Sequence, residues 1–579
     1  MNIRRWFALW FLGGVCLSLL WACNLTTIKV DSFANAERVL REQLLPKITI
    51  EQGVITDVEA QRYNIDKVNE PLPQLEDFPL YAAQPATGGN TSYIEIFSSS
   101  EKANAKKDDE RWLVDVAEAF NAQKLTTSDG KTIQVGIRNV PSGTAVRLLA
   151  AKAVRPVGFS PSNQLWLEML KQQGVNTTTV APRLVPNTAG FVVADKAYQE
   201  LAKGGAVTFD RLVDAIISGK ITVGYPNPYA SSTALNLLYS LFWRSAGHQQ
   251  NSQPLTVAEL QSPQVNSVFD AFQKQVLITT LTTLDLKELF IRDQNKLQAF
   301  PLEYQSFHTL KKLPGFEKVH FIPFGIPHNN PLVGFPWNTS AQKEALKRFA
   351  EFASAPNMQQ LAAAQGFTPT EYLNQPGLPP IPSGEVLLAA QSYWKQRKDS
   401  GRTVYLMMVI DTSGSMDGER LTAVKDSLRL AASQINQGNY VGITTFSDAP
   451  KTVLPLAAFD TLQHKRLLAA ADALTADGGT AMYDGMMAGL AELMARHKTD
   501  PNGRYYLLLL SDGEVNRGLK LAEVKDVLAH SGVRFYPISY GAANQQELQA
   551  IAAIREATVK SSEPKKLHSL FKDLLQTNL

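Results

Sequence analysis

Apolar and polar residues in the last third of the chain fall into two alternating rhythms. The run 404–410, Val-Tyr-Leu-Met-Met-Val-Ile, is apolar almost throughout, as suits a central parallel strand covered by helices on both faces. Shorter apolar runs predict strands over 440–446, 505–510 and 533–539. Helical spacing predicts helices over 420–435, 462–474, 481–497, 519–529 and 546–554. An earlier stretch, from Thr91, shows the same rhythm: a strand over 93–97, a helix over 112–120, a strand over 132–140 and a helix from about Gly143. Strands alternating with helices argue for α/β lobes in both regions.

Two tracts interrupt the rhythm. One is punctuated by prolines from Pro71 to Pro85, and the other is Pro376-Gly377-Leu378-Pro379-Pro380-Ile381-Pro382-Ser383-Gly384, followed by an amphipathic stretch to Arg402. At 579 residues the chain exceeds what one core supports, about 250–300 residues, so these breaks are read as boundaries. The expected organisation is an export signal at 1–22, a spacer at 23–88, an α/β domain at 89–375, a linker at 376–401 and a terminal α/β domain at 402–579. No repeat of solenoid period and no low-complexity tract is visible.

Composition changes this picture little. A net charge of +3 with 44% hydrophobic and 19% charged residues lacks the basic excess that nucleic-acid binding brings, so no nucleic-acid partner is expected. The eight histidines are scattered without zinc-like spacing. At the start, Arg4 and Arg5 precede an apolar run from Trp6 to Trp21 that is short for a membrane span. The run ends in Leu20-Trp21-Ala22-Cys23, which resembles the lipobox of bacterial lipoproteins; a plain signal anchor is the other reading. That resemblance implies lipidation of Cys23 and a protein tethered in the cell envelope, outside the cytoplasmic membrane. Cys16 would leave with the signal, so no internal disulfide is expected.

Candidate chemistry gathers where the apolar strand stops, at Asp411-Thr412-Ser413-Gly414-Ser415-Met416. Alternate residues of an extended segment point the same way, so Asp411, Ser413 and Ser415 can converge on one point. Hard oxygen donors of this kind suit Mg²⁺, or another divalent cation such as Mn²⁺ or Ca²⁺. Alone, the segment could equally be a helix N-cap. The Gly-rich turn Asp477-Gly478-Gly479-Thr480 precedes a predicted helix, and Ser511-Asp512-Gly513 ends a predicted strand. In open α/β sheets such loops meet at the carboxyl edge of the strands.

In this order the residues resemble the metal-ion-dependent adhesion site of von Willebrand factor type A domains, over the whole segment from about Arg402 to the end. The resemblance implies a doubly wound, Rossmann-like fold. It also implies that Ser413, Ser415 and Thr480 bind a cation directly while Asp411 and Asp512 act mainly through water or from behind the ligands, and that a protein partner offers a carboxylate to the ion. Such a cation could in principle activate water, but no histidine stands beside the motif, and no nucleophile elbow, phosphate loop or His-Glu-x-x-His helix occurs. Binding, not catalysis, is therefore expected.

Residues from about 90 to 375 resemble a bacterial extracellular solute-binding protein of the periplasmic type. The similarity rests on Ile94-Glu95-Ile96-Phe97-Ser98-Ser99-Ser100, on Asn187 to Val193, on Ile221 to Pro228, and on 341–352 followed by Ala363-Ala364-Gln365-Gly366-Phe367-Thr368-Pro369. It implies two lobes around a cleft that holds a small solute. Ser98, Ser99 and Ser100 follow a strand, while Ser142, Gly143 and Thr144, and Ser231, Ser232 and Thr233, open helices whose free N–H groups favour anions; ordinary helix caps are the other reading. Two functions follow as expectations: a membrane-anchored binding protein with a metal-held partner, or the solute receptor of an ABC importer with the terminal domain as a docking or regulatory module.

Overall fold

The computed structural model describes residues 29–65, 72–85, 89–367, 377–512, 514–540, 545–554, 560–562 and 567–578. The export signal, Cys23 and Gly513 lie outside them.

The central strand Val404–Asp411 is buried along its whole length, and its side chains divide between two cores. Leu406, Met408 and Ile410 join one, which is closed by the helices Glu419–Ala432, Thr461–Ala473 and Leu567–Asn578. Tyr405, Met407 and Val409 join the other, under Met482–Thr499, Leu521–His530 and Gln545–Ile554. A strand sandwiched this way has no polar face, which is why its sequence reads as unbroken apolar residues. The sheet runs Glu51–Gln52, Pro450–Ala458, Tyr440–Phe446, Val404–Asp411, Arg504–Ser511, Arg534–Tyr540, Lys560–Ser562. Every pairing is parallel except that of Tyr440–Phe446 with Pro450–Ala458.

One edge of this sheet comes from the segment expected to be a spacer. Glu51 and Gln52 pair with Lys451 and Thr452, Ala36, Val39, Leu40 and Leu44 enter one core, and Ile55 and Ala60 the other. Ion pairs Lys47–Glu523 (3.0 Å) and Lys498–Glu37 (2.7 Å) fasten it. Residues 29–63 are thus built into the terminal domain.

The preceding α/β region forms two lobes. The first carries the sheet Leu80–Tyr81, Thr132–Asn139, Thr91–Ser98, Gly158–Ser160, Leu332–Gly334, Thr178–Ala181; the second carries His320–Pro323, Ala189–Val193, Ala299–Glu303, Val223–Pro226, Val276–Thr280. The chain crosses between them twice, and the crossings pair with each other at Asn187 and His328 through backbone bonds of 2.9 and 3.0 Å. The lobes meet closely. A Cβ on Gly143 of the first would lie 2.1 Å from Tyr229 O of the second, so only glycine admits this approach. Gly143→Ala is expected to part the lobes at a cost of about 1–3 kcal/mol, read as a larger radius of gyration in small-angle scattering. Unchanged scattering and melting would show that the lobes do not close on this contact.

The expected linker is largely a helix, Gly384–Arg397, capped by Ser383. Val386, Leu387, Ala390, Tyr393 and Trp394 bury themselves in the core that both lobes share. The helix packs on Leu165–Gln172 of the first lobe and on Ser232–Ser245 of the second. It holds the two lobes together as well as joining the domains.

Candidate metal site and solute cleft

The carboxyl ends of the strands Val404–Asp411 and Arg504–Ser511 bring Asp411 and Ser511 side by side. Asp411 is fully buried and accepts from Ser413 N–H (2.9 Å) and Ser413 Oγ (2.6 Å) on one oxygen, and from Ser511 Oγ (2.7 Å) on the other. Ser415 Oγ donates to Asp512 Oδ2, and Ser413 Oγ lies 3.1 Å from Ser415 Oγ. Four of the five residues singled out in the sequence therefore form one connected group. Thr480 reaches the same edge through its backbone. Gly414 N–H donates to Gly478 O (3.0 Å), Asp477 N–H to Thr412 O (2.9 Å), and Thr480 N–H to Asn516 Oδ1 (2.8 Å). Gly478 has a φ of +77°, where a side chain would strain the turn.

This donor set fits a hard cation. Both serine hydroxyl protons are directed at carboxylates, so the two Oγ atoms face each other with lone pairs only. Their 3.1 Å separation matches neighbouring oxygens on an octahedral Mg²⁺, about 3 Å. Among the described residues no group of three His, Cys, Asp or Glu side chains gathers to hold a metal, and the atoms that converge here are two hydroxyls backed by two carboxylates. Burial pushes the Asp411 carboxyl up to about 6, against the bonds from Ser413 and Ser511, and the Asp512 charge adds to the rise. Arg420, which the sequence reading did not single out, lies 3.6 Å from Asp512 Oδ2 and donates to Ser415 O at 3.1 Å. Ser511 was likewise missed, although its place directly before Asp512 offered a signal.

In the cleft the hydroxyl loops behave differently from one another. Ser142 and Ser232 are drawn together across the lobes: Ser162 N–H donates to Ser142 Oγ (3.4 Å), Ser232 Oγ bonds Ser162 Oγ (2.9 Å), and Trp166 Nε1 donates to Ser232 Oγ (2.8 Å). Thr233 Oγ1 reaches Glu303 (3.4 Å), and Ser99 meets Glu101 and Lys102. Ser98 Oγ donates to the neighbouring Ser99 carbonyl (3.4 Å), and Ser100 turns to Asn139 (2.7 Å). Ser231 caps the helix Ser232–Ser245 by accepting from Ala234 N–H, as the plain capping reading required. Thr144, with Gly143, lines a pocket of ≈ 580 Å³ that also touches the linker helix and the last helix. The cleft's ionisable residues Glu101, Lys102, Glu303 and His328 were missed: Glu101 and Lys102 directly follow the loop Ser98–Ser100 that the sequence did mark, whereas Glu303 and His328 have no such loop beside them.

Residues 108–368 match the bacterial extracellular solute-binding protein family, and residues 406–573 match the von Willebrand factor type A domain. The chain joins these two domains. Both families are binding modules rather than catalytic ones. Among curated proteins the chain is 29% identical to an uncharacterized protein of Synechocystis over 30% of its own length and 40% of the relative's. It is also 29% identical to the uncharacterized protein YfbK of Escherichia coli (strain K12), over 25% and 26% respectively. The chain thus spans well under half of each relative. Among solved structures it is similar to a von Willebrand factor type A protein from Catenulispora acidiphila, with 23% identity, TM-score 0.28, and 30% of this chain and 42% of that one covered. The sulfate-binding protein SubI from Mycobacterium tuberculosis H37Rv gives 16% identity, TM-score 0.35, and 53% and 98%. Iron-bound HitA from Pseudomonas aeruginosa gives 12%, 0.37, and 53% and 99%. No helix among the described residues is long and apolar enough to cross a membrane.

Proposed function

We propose that the protein is an envelope binding protein whose terminal domain grips a protein partner through a divalent cation, and whose two-lobed domain holds a small solute. The supporting observation is the continuous run Ser511–Asp411–Ser413–Ser415–Asp512, assembled from two separate loops at one sheet edge. Asp411 and Asp512 accept the hydroxyl hydrogen bonds and aim serine lone pairs at a common point, and Thr480, on the turn bonded to Thr412 and Gly414, would add a hydroxyl from the third loop. A bound cation there supplies a positive charge with an open position that attracts a carboxylate. Among the described residues no histidine bonds this group, which favours gripping over water activation.

The extracellular solute-binding match supports an extracytoplasmic location, and a lipid on Cys23 would hold the chain to the membrane. Delivery of solute to a permease needs the lobes to part repeatedly. The helix Gly384–Arg397 packs on both of them, which favours holding or sensing over importer traffic. In a pull-down from envelope extract, a partner is expected to be retained with Mg²⁺ and lost with EDTA or with Asp411→Ala. Retention in EDTA would defeat the metal-held reading. Cys23→Ser is expected to move the protein from the membrane to the soluble fraction, and a membrane-bound variant would reject the anchor.

A further inference from the structure

The two lobes, the linker helix and the last helix meet around a pocket of ≈ 580 Å³. The helix Ser142–Ala150 of the first lobe contributes Gly143 and Thr144, the second lobe Tyr229, the linker helix Gln391, and the last helix Gln576. Its wall is therefore complete only when the terminal domain is docked.

Two buried amides line this pocket, and the bond that each makes fixes which of its ends is left over. Gln391, 3% exposed, donates from Nε2 to Pro228 O at 2.9 Å, so its Oε1 is an acceptor without a hydrogen bond among the described residues. Gln576, 9% exposed, is oriented through Asn227: Tyr229 N–H donates to Asn227 Oδ1 (2.9 Å), which turns Asn227 Nδ2 onto Gln576 Oε1 (3.1 Å). Gln576 Nε2 is then a donor without a hydrogen bond among the described residues. Neither atom is sealed off from solvent, and with both residues otherwise buried the pocket is what they open onto.

The lining is positive on balance. Pro141 precedes the helix Ser142–Ala150 and offers no side-chain cap, so the positive end of that helix lies at the wall where Gly143 and Thr144 stand. Arg147, one turn further on, and Lys572 bring two cations to a lining whose one acid among the described residues is Asp573. Phe78, Trp166, Met169 and Leu388 supply an apolar side to the same pocket. Such a lining selects a ligand with an anionic head, an apolar body and a hydrogen-bond donor for Gln391 Oε1.

We propose that this junction binds a small apolar carboxylate that carries a hydroxyl or N–H donor, and that the last helix of the terminal domain helps to hold it through Gln576. The inference rests on the two-lobed domain's being a solute holder, and it ties the solute to the docking of the terminal domain. The test is calorimetric titration and thermal shift of the full chain with 3-phenyllactate, with 3-phenylpropanoate, which lacks only the hydroxyl, and with sulfate. Phenyllactate is expected to bind, and phenylpropanoate to bind about threefold or more weakly, the size of one neutral hydrogen bond. Gln576→Leu is expected to weaken phenyllactate binding about tenfold or more, as the loss of a hydrogen bond to a charged group does. Thr144→Val keeps the shape of its side chain and serves as the second variant where Gln576→Leu disturbs docking; it is expected to weaken binding with melting unchanged. Phenyllactate binding that neither variant alters overturns the junction site and leaves the solute reading intact. Binding of sulfate with neither carboxylate overturns the ligand class and also leaves that reading intact. No heat and no thermal shift from any of the three overturns both.

Discussion

Asp411→Ala is expected to abolish the thermal stabilisation that Mg²⁺ gives the protein. A ligand at a hundred times its dissociation constant stabilises by about 2.7 kcal/mol. For a domain of this size that corresponds to a rise in melting temperature of roughly 5–10 °C, which the variant should lose. Asp411 holds the assembly together from both sides, since one oxygen orients Ser413 and the other binds Ser511. Its removal frees the Ser413 hydroxyl to turn and deletes the bond from the buried Ser511 hydroxyl to Asp411 Oδ2, so metal-free stability should also fall, by about 1–3 kcal/mol. Thr480→Ala separates these effects. Thr480 is anchored by backbone bonds, so its variant is expected to lose the Mg²⁺ response while keeping metal-free stability. A Mg²⁺ response in Asp411→Ala equal to that of the parent protein, measured by scanning calorimetry, would remove these residues from metal binding.

The terminal sheet was legible because its order is written locally. An unbroken apolar strand can only be covered on both faces, and a motif that begins at such a strand's end must emerge at the carboxyl edge. Asp411, Ser413 and Ser415 follow consecutively from that logic. Elements that depend on distant partners were not legible. Glu51–Gln52 is two residues long and carries no period; it is a strand only because Lys451 and Thr452 are there to pair with it. The strand Pro450–Ala458 begins with a proline and lies antiparallel near the sheet's edge, outside the strand–helix alternation that revealed the others. The last helix did leave a trace, since Leu567, Phe571, Leu574 and Leu575 fall at helical spacing and all enter one core.

The cleft shows the complementary limit. Hydroxyls at helix starts are a local pattern, but local patterns cannot say whether a group faces a solute or another protein group. Ser142, Ser162 and Ser232 bond one another, whereas Ser231 is simply a cap. Glu303 and His328 carry no local pattern and are brought together by the hinge crossings, where Asn187 pairs with His328.

Asp399→Ala is expected to weaken the joint between the two domains by about 3–5 kcal/mol, the cost of leaving buried cations without their anion. Asp399 is buried just after the linker helix, and its carboxylate meets Lys398 Nζ at 3.0 Å and Arg504 Nη1 at 3.4 Å. Arg504 begins a central strand of the terminal sheet, and Arg402 Nη2 donates to Gln273 O of the second lobe at 3.0 Å. One carboxylate thus balances cations from both sides of the boundary. The last helix adds polar bonds there, with Asn227 Nδ2 donating to Gln576 Oε1 (3.1 Å) and Thr577 Oγ1 (3.2 Å). Burial raises the Asp399 carboxyl, yet the Lys398 and Arg504 charges outweigh it, and the group ends below its ordinary value. The sign follows: its contribution is complete above the unfolded carboxyl's value, about 3.9, and is lost as pH falls through the lower folded one. Scanning calorimetry at pH 7 should therefore show one cooperative transition in the parent protein and two in Asp399→Ala, with the parent approaching the variant only below about pH 4. If Asp399→Ala melts at pH 7 as a single transition at the parent temperature, the domains are not joined through this charge.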